Sequence, residues 1–406
     1  MTKRNVSWNM IGAVVYSVIT IVLATIVKRT DAGEANAFTF DFKLAQLLLT
    51  VGYFEVRVFQ VTDSKEKYSF ADYLGFRIFT CILMVVIGAV YFVFSGKPAD
   101  AFPLLMLLVV YKMLDAFADV FEGDYQKHER IDVSGKSMAL RTLCGAIAFT
   151  AVCYFTKSAV LGCIALVTGC LLVIVLYNPA KRRIYDDSAM VRPSFKSFKP
   201  LFKDVIALSL GAFVCCYLLN CCSYALDFYS PEYNYAFGAV FMPSSVINLA
   251  ATIIYKPILT DWTKKADEKD AHGYIKILLV MGGIVFALTA VCILGAWLLG
   301  IPILSAVYAD DLSPFKTELL IMLAGGGLNA LGILLYYGLV VLRKQKQTFI
   351  TYLATLAVTL PVPFLLTKSL GIYGAALAYF LIMFIQFAVF ALFLLFAVRK
   401  EFYEKD

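Results

Sequence analysis

The chain has 406 residues, 61% of them hydrophobic and only 16% charged, with a mean hydropathy of +0.79. Runs of roughly 18 or more mainly apolar residues recur along its length, which excludes a water-soluble globular protein and marks a chain of transmembrane helices. The net charge of +7 is modest, and no basic block stands beside a soluble binding module, so nucleic acid is excluded as a partner.

In chain order, the apolar runs predict twelve spans: 8–27, 38–60, 71–95, 101–122, 136–156, 158–177, 204–229, 236–256, 275–300, 317–342, 348–367 and 371–396. Met1 to Met10 is short and basic. The apolar run from Ile11 to Val27 is too long for a signal-peptide core, so it reads as the first span. With the N-terminus in the cytoplasm, the outer loops hold only Lys28, Arg29, Lys97, Lys157, Lys316 and Lys368. All other loop cations fall inside. This positive-inside bias fixes an all-α polytopic fold with both termini cytoplasmic. The longest loop divides the chain into a six-helix lobe at 1–180, a basic cytoplasmic linker at 181–203 and a second six-helix lobe at 204–406. In the linker, Lys181-Arg182-Arg183 precedes an aromatic and basic run from Pro193 to Lys203. That run suits either contact with an anionic leaflet or an ordinary connecting loop. The stretch from Asp261 to Ala271 is dense in mixed charge and reads as solvated.

Six cations fall inside the spans: Lys43, Arg57, Arg77, Lys112, Arg141 and Lys256. A charge at the bilayer centre costs about 3 kcal/mol or more, so such residues face a partner or a wet cavity. On span two, Lys43, Gln46, Thr50, Tyr53, Arg57 and Gln60 recur at helical spacing and share one face, with Asp41 and Glu55 on the other. The stripe fits the wall of a wet pathway, or a polar seam between packed helices. Span four repeats the pattern with Lys112, Asp115, Asp119 and Glu122, extended by Gln126. Lys112 and Asp115 are spaced to pair. Asp115 and Asp119 are candidates to neutralise neighbouring cations or to bind a coupling H⁺ or Na⁺. Arg77 and Arg141 lie near the cytoplasmic ends of spans three and five, within reach of the interface by snorkelling. Together with Arg57 they also form one level of guanidiniums, the group that offers paired donors to phosphate oxygens. Lys256 closes span eight beside Pro257 and reads as an interfacial anchor.

The second half is less charged. Tyr217, Asn220, Tyr224 and Asp227 lie on span seven, Ser245, Asn248 and Thr252 on span eight, and Gly325-Gly326-Gly327 with Asn329 on span ten. These suit either hydrogen bonds to a sugar or close helix packing. All ten cysteines lie in apolar segments without a CxxC and read as small packing residues. His128 and His272 fall in loops. No P-loop, HExxH or GxSxG is present, and Asp115 and Asp119 are the only carboxylate pair suited to acid–base work. The chain therefore reads as a transporter and not an enzyme.

Several stretches resemble the polysaccharide-transport branch of the exporter superfamily that also holds the multidrug and toxin extrusion exporters. Asn5-Val-Ser-Trp-Asn9-Met-Ile-Gly12 is similar to that branch's first-helix start. Gly52-Tyr-Phe-Glu-Val-Arg57-Val-Phe-Gln60, with Tyr73 and Arg77, is similar to the matching part of many Gram-positive-type members. Tyr125 to Ser137 with Arg141 resembles the loop between spans four and five, and Gly371-Ile-Tyr-Gly374-Ala-Ala the start of the last helix. The first outer loop, Lys28 to Asn36, departs from the family pattern.

The resemblance implies a flippase of the bacterial cytoplasmic membrane. Such a protein moves undecaprenyl-pyrophosphate-linked oligosaccharide to the outer leaflet by alternating access, for capsule, O-antigen or another surface polysaccharide. Its partners would be that glycan, the bilayer and polysaccharide polymerase machinery, with no cofactor beyond a coupling H⁺ or Na⁺. Arg57, Arg77 and Arg141 would take the headgroup, helped by Lys43, Lys112, Gln46 and Gln60. Asp115 and Asp119 would serve ion coupling. The alternative is an ion-coupled exporter of drugs or other small molecules, which calls for an acid-lined, cation-poor cavity.

Overall fold

The computed structural model describes residues 3–62, 67–128, 130–182, 192–255, 258–342 and 344–403. The described residues are helical throughout and divide into two compact units, Met1–Cys216 and Tyr217–Asp406.

The first unit opens with α1, Lys3–Thr30. The second span is broken into α2, Ala35–Tyr53, and α3, Val56–Thr62, at Phe54 and Glu55, which both take left-handed backbone angles. Then come α4, Phe70–Ser95, α5, Phe102–Lys127, α6, Ile131–Thr156, and α7, Ala159–Arg182. Helix α8, Phe198–Tyr229, runs from this unit into the second. Within the first unit α5 is the central post, in contact with α2, α3, α4, α6 and α7. The charged stripe anticipated on it is therefore buried on several sides.

The second unit holds α9, Asn234–Tyr255, α10, Leu259–Asp267, and α11, Ala271–Gly295. A π-turn continues α11 into α12, Ile301–Tyr308. Helix α13, Lys316–Val341, is followed by α14, Gln345–Thr359, and α15, Val362–Phe402. Helix α15 turns sharply at Gly371, whose φ of 56° and ψ of −134° suit only glycine. The preceding segment completes the eleventh span with α14, and the remainder is the twelfth. The Gly371 to Gly374 motif is thus a tight turn between spans. A side chain at position 374 would meet the Leu366 carbonyl at 2.0 Å. Among the described residues, eight helices are long and apolar enough to cross a membrane by length and composition alone. The charged α2/α3 and α5 are among the spans that fall short of that measure, and with them the multi-pass architecture reaches twelve crossings.

In the linker, Phe198 and Phe202 pack on Phe54, Phe76 and Phe79 of α4 and the α2/α3 junction, while Phe195 stays exposed. Ser194 donates to Asp72 at 2.7 Å, and its amide donates to the Ala71 carbonyl at 2.9 Å. Gly75 lets the strand lie flat, because a side chain there would meet the Ser194 carbonyl at 2.1 Å. The charged loop after span eight is likewise more than a solvated connection. Its α10 buries Trp262 against Tyr274 at 5.3 Å between ring centres.

In the second unit α13 is the central post. Its three successive glycines face three different neighbours, Tyr379 for Gly325, Ser244 for Gly326 and Thr289 for Gly327, each close enough to exclude any side chain. Asn329 accepts from Gln386 at 3.3 Å, and Tyr255 and Tyr274 donate to α13 carbonyls at 2.9 Å. Packing accounts for these residues. Asp227 holds Asn234 at 2.8 Å, and Asn248 donates to the Ser244 carbonyl at 3.0 Å. Thr252 has no described side chain. Lys256 and Pro257 lie outside the described residues.

Candidate functional site

The polar face of α5 gathers the embedded cations into one linear chain of charges. Lys112 pairs with Asp115 at 3.4 Å. Asp115 also takes Arg141 of α6 at 3.1 Å, and Arg141 reaches Glu122 at 2.9 Å. Glu122 takes Arg57 of α3 at 3.3 Å, Arg57 reaches Asp119 at 2.9 Å, and Asp119 takes Arg77 of α4 at 2.8 Å. Signs alternate along this ladder, from Lys112 at one end to Arg77 at the other. Each of the three carboxylates is bridged by two cations, which leaves one positive charge in excess. The i, i+3, i+4 spacing on α5 is what makes this geometry available. Burial makes it obligatory, since removing one partner from a desolvated pair strands its mate.

Exposure separates the members. The side chains of Arg77, Arg141 and Lys112 are 0%, 3% and 2% exposed, whereas Arg57 is 28% exposed. Arg77 and Arg141 therefore do not snorkel. They turn inward because α5 supplies acids at their depth. Arg57 also donates to Gln126 through two nitrogens, at 3.0 and 3.3 Å, and reaches Ser134 of α6 at 3.5 Å.

Arg77 has a second task. Its guanidinium donates to the Gly52 carbonyl and, at 2.8 Å, to that of Tyr53. Thr80 adds a hydroxyl to the Gly52 oxygen at 2.8 Å. These are carbonyls that the end of α2 leaves without intrahelical partners, and a buried orphan carbonyl is costly. Phe54, in its left-handed conformation, is wedged against Phe76 and Phe202. Arg77 thus caps one half of the broken helix and, through Asp119, holds Arg57 on the other half.

Lys112 ends the ladder in an aromatic cage. Its ammonium lies 4.7 Å from the ring centres of Tyr16 and Phe42 and 4.9 Å from that of Tyr111. It donates to the Tyr16 hydroxyl at 3.1 Å.

Lys43 and Gln46 lie on α2, ahead of the helix break. On α2 between Phe38 and Tyr53, the partly exposed residues are Lys43, Gln46, Thr50, Val51 and Tyr53, and their neighbours are buried. The stripe read from spacing is thus an accessible polar strip that leads to Arg57. Asp41, on the opposite side, is buried against Lys97 at 3.3 Å. Gln60 does not continue the strip. It is buried, donates to the Val120 carbonyl at 2.9 Å, and lies over Gly123, where α3 crosses α5. It ties α3 to α5 instead of lining a pathway. Sequence reasoning placed Glu122 and Gln126 on the α5 stripe without giving them a role, and missed Tyr16, Thr80 and Ser134. Glu122 and Gln126 were visible in the spacing. Tyr16, Thr80 and Ser134 meet the site only through helix packing.

No protein-family model matches the chain, and no curated protein matches it. Solved structures do. A multidrug resistance MATE family transporter of the MOP superfamily, inward-facing, superposes with a TM-score of 0.66 at 12% identity, covering 97% of this chain and 95% of that one. This chain has the MATE-like transporter fold. A MATE protein in its bent conformation gives 0.61 at 13% identity over 98% and 96% of the two chains. A MOP superfamily transporter from Pyrococcus furiosus, described as having a binding pocket of reverse polarity that suggests a different function, gives 0.55 at 13% over 98% and 95%. At these identities the likeness concerns the fold alone. Its neighbours are transporters, and the chain is a multi-pass membrane protein of that fold.

Proposed function

We propose that this chain is a flippase for an anionic lipid-linked glycan, of the undecaprenyl-pyrophosphate class, in a bacterial cytoplasmic membrane. The observation that carries the reading is the sign of the ladder. The seven ion-paired residues of the ladder carry one cation in excess, which favours an anion over a cationic drug. The accessible strip of Lys43, Gln46, Thr50 and Tyr53 ends at Arg57, the one partly exposed guanidinium of the ladder. A pyrophosphate headgroup would track this strip, exchanging contacts with Lys43 and Arg57, while its polyprenyl tail stays in lipid. Arg77 and Arg141 support Arg57 and do not touch the headgroup themselves.

The second reading is an ion-coupled exporter of small molecules, favoured by the names of the MATE structures that share the fold. The two readings separate in reconstituted vesicles. The flippase reading expects translocation of a polyprenyl-pyrophosphate oligosaccharide that is abolished by Arg57→Ala. Uptake of cationic dyes with no glycan translocation would establish the exporter instead.

A further inference from the structure

Resting on the anionic-passenger reading, we infer that Lys112 is the proton site of the ladder: it holds its proton more tightly while the passenger anion is bound than when the site is empty. The inference follows from which groups in the ladder can change charge without leaving others stranded. Protonating Asp115, Asp119 or Glu122 would leave two cations facing each other across a neutral acid, because each carboxylate is bridged twice. It would also raise an excess that is already positive. A sodium ion meets the same repulsion. Arginine does not deprotonate in proteins. Lys112 is the remaining ladder member able to titrate, and loss of its proton brings the ladder to neutrality.

Its position suits the task. Lys112 is an end member, so its neutral form strands no acid: Asp115 keeps Arg141 at 3.1 Å. The groups that face it are Tyr16 from α1, Phe42 from α2, Tyr111 and Asp115 from α5, Arg141 from α6 and Cys170 from α7. Asp115 is the one acid among them, and Arg141 shares it. Glu55, beside the helix break, lies within electrostatic reach of Arg77 and Asp119, at the end of the ladder away from Lys112. Tyr16, itself partly exposed, takes a hydrogen bond from the ammonium at 3.1 Å. The proton leaves by that route. The N–H bond of Lys112 breaks as an O–H bond forms on Tyr16, whose own proton passes to water.

An anion at Arg57 cancels the same excess charge that deprotonation cancels. The two events therefore compete, and anion binding draws a proton onto Lys112. The coupling runs through the ladder itself, from Arg57 by way of Glu122, Arg141 and Asp115.

The test uses purified full-length protein in detergent and two readouts. The first is calorimetric binding of inorganic pyrophosphate in two buffers of different ionisation enthalpy. Wild type takes up more protons with the anion than Lys112→Arg, whose charge is fixed and whose remaining exchange is that of pyrophosphate itself. Uptake that persists unchanged in Lys112→Arg overturns the inference and leaves the anion reading intact. The second needs no ligand: melting temperature across the neutral to alkaline range for wild type, Lys112→Arg and Lys112→Met. Wild type follows Lys112→Arg at the acidic end and converges on Lys112→Met at the alkaline end. A wild type that parallels Lys112→Arg throughout overturns the inference. Convergence without pyrophosphate binding supports the proton site and refutes the anion reading.

Discussion

Replacing Arg141 with methionine is the sharpest test of the ladder as a physical object. Arg141 is 3% exposed and is the interior link between Asp115, at 3.1 Å, and Glu122, at 2.9 Å. Methionine preserves much of the apolar stem and deletes the charge. Each acid then keeps a single partner at the longer contact, Lys112 at 3.4 Å and Arg57 at 3.3 Å. Breaking a buried pair by removing one partner costs about 3–5 kcal/mol. At roughly 2–4 °C per kcal/mol for a folding unit of this size, the melting temperature falls by about 10 °C. The assay is the fraction of protein that stays monodisperse after heating in detergent. Adding Glu122→Gln removes one stranded acid and restores alternation on either side of the gap, so the double variant recovers by roughly 0.5–3 kcal/mol of coupling. Arg141→Met melting with the wild type, or purely additive losses in the double variant, would refute the ladder as a coupled network.

Other outcomes follow from the same contacts. Gly75→Leu cannot coexist with the Ser194 carbonyl at 2.1 Å from its Cβ, so it lifts the linker from α4 and speeds tryptic cleavage at Arg192, Lys196 and Lys199. Gly371→Ala forces a side chain into a left-handed turn and costs about 1–2 kcal/mol, read as a lower melting temperature. At the cytoplasmic end of α15, the hydrogen bond from Lys269, joined by Lys344 at 3.4 Å, holds the Glu401 carboxyl below the usual glutamate range. A depressed acid stabilises the fold above its unfolded value, about pH 4.3 for glutamate, and loses that contribution as pH falls through its folded value. Glu401→Gln therefore melts lower than wild type at neutral pH, and the difference closes in acid.

Much of this architecture was legible in the sequence because it rests on short-range rules. Apolar runs marked the spans, the charged α2/α3 and α5 less plainly than the rest, and loop charge predicted their orientation. The α5 stripe was visible because Lys112, Asp115, Asp119 and Glu122 obey one helical period over an unbroken helix. The α2 stripe was legible only as far as Tyr53. Extending it to Gln60 assumed a continuous helix, and the two left-handed residues Phe54 and Glu55 interrupt the period. No proline or glycine at those two positions announces the break. It is imposed from a distance, by Arg77 on the freed carbonyls and by Phe76 and Phe202 around Phe54. Arg77 and Arg141 were legible as embedded charges but not as inward-facing ones, since the acids that turn them lie on another helix. The aromatic linker stayed between leaflet contact and an ordinary loop for the same reason: composition shows that Phe198 and Phe202 want burial, and only packing shows against what.

The central claim is that the excess positive charge serves an anionic lipid-linked glycan. Mass spectrometry of polyprenyl lipids extracted from a strain lacking this chain, with and without an Arg57→Ala copy, tests it most directly. One undecaprenyl-pyrophosphate oligosaccharide is expected to accumulate in both and to clear when the wild-type chain is restored. An unchanged lipid profile, accompanied by altered sensitivity to cationic drugs, would contradict it.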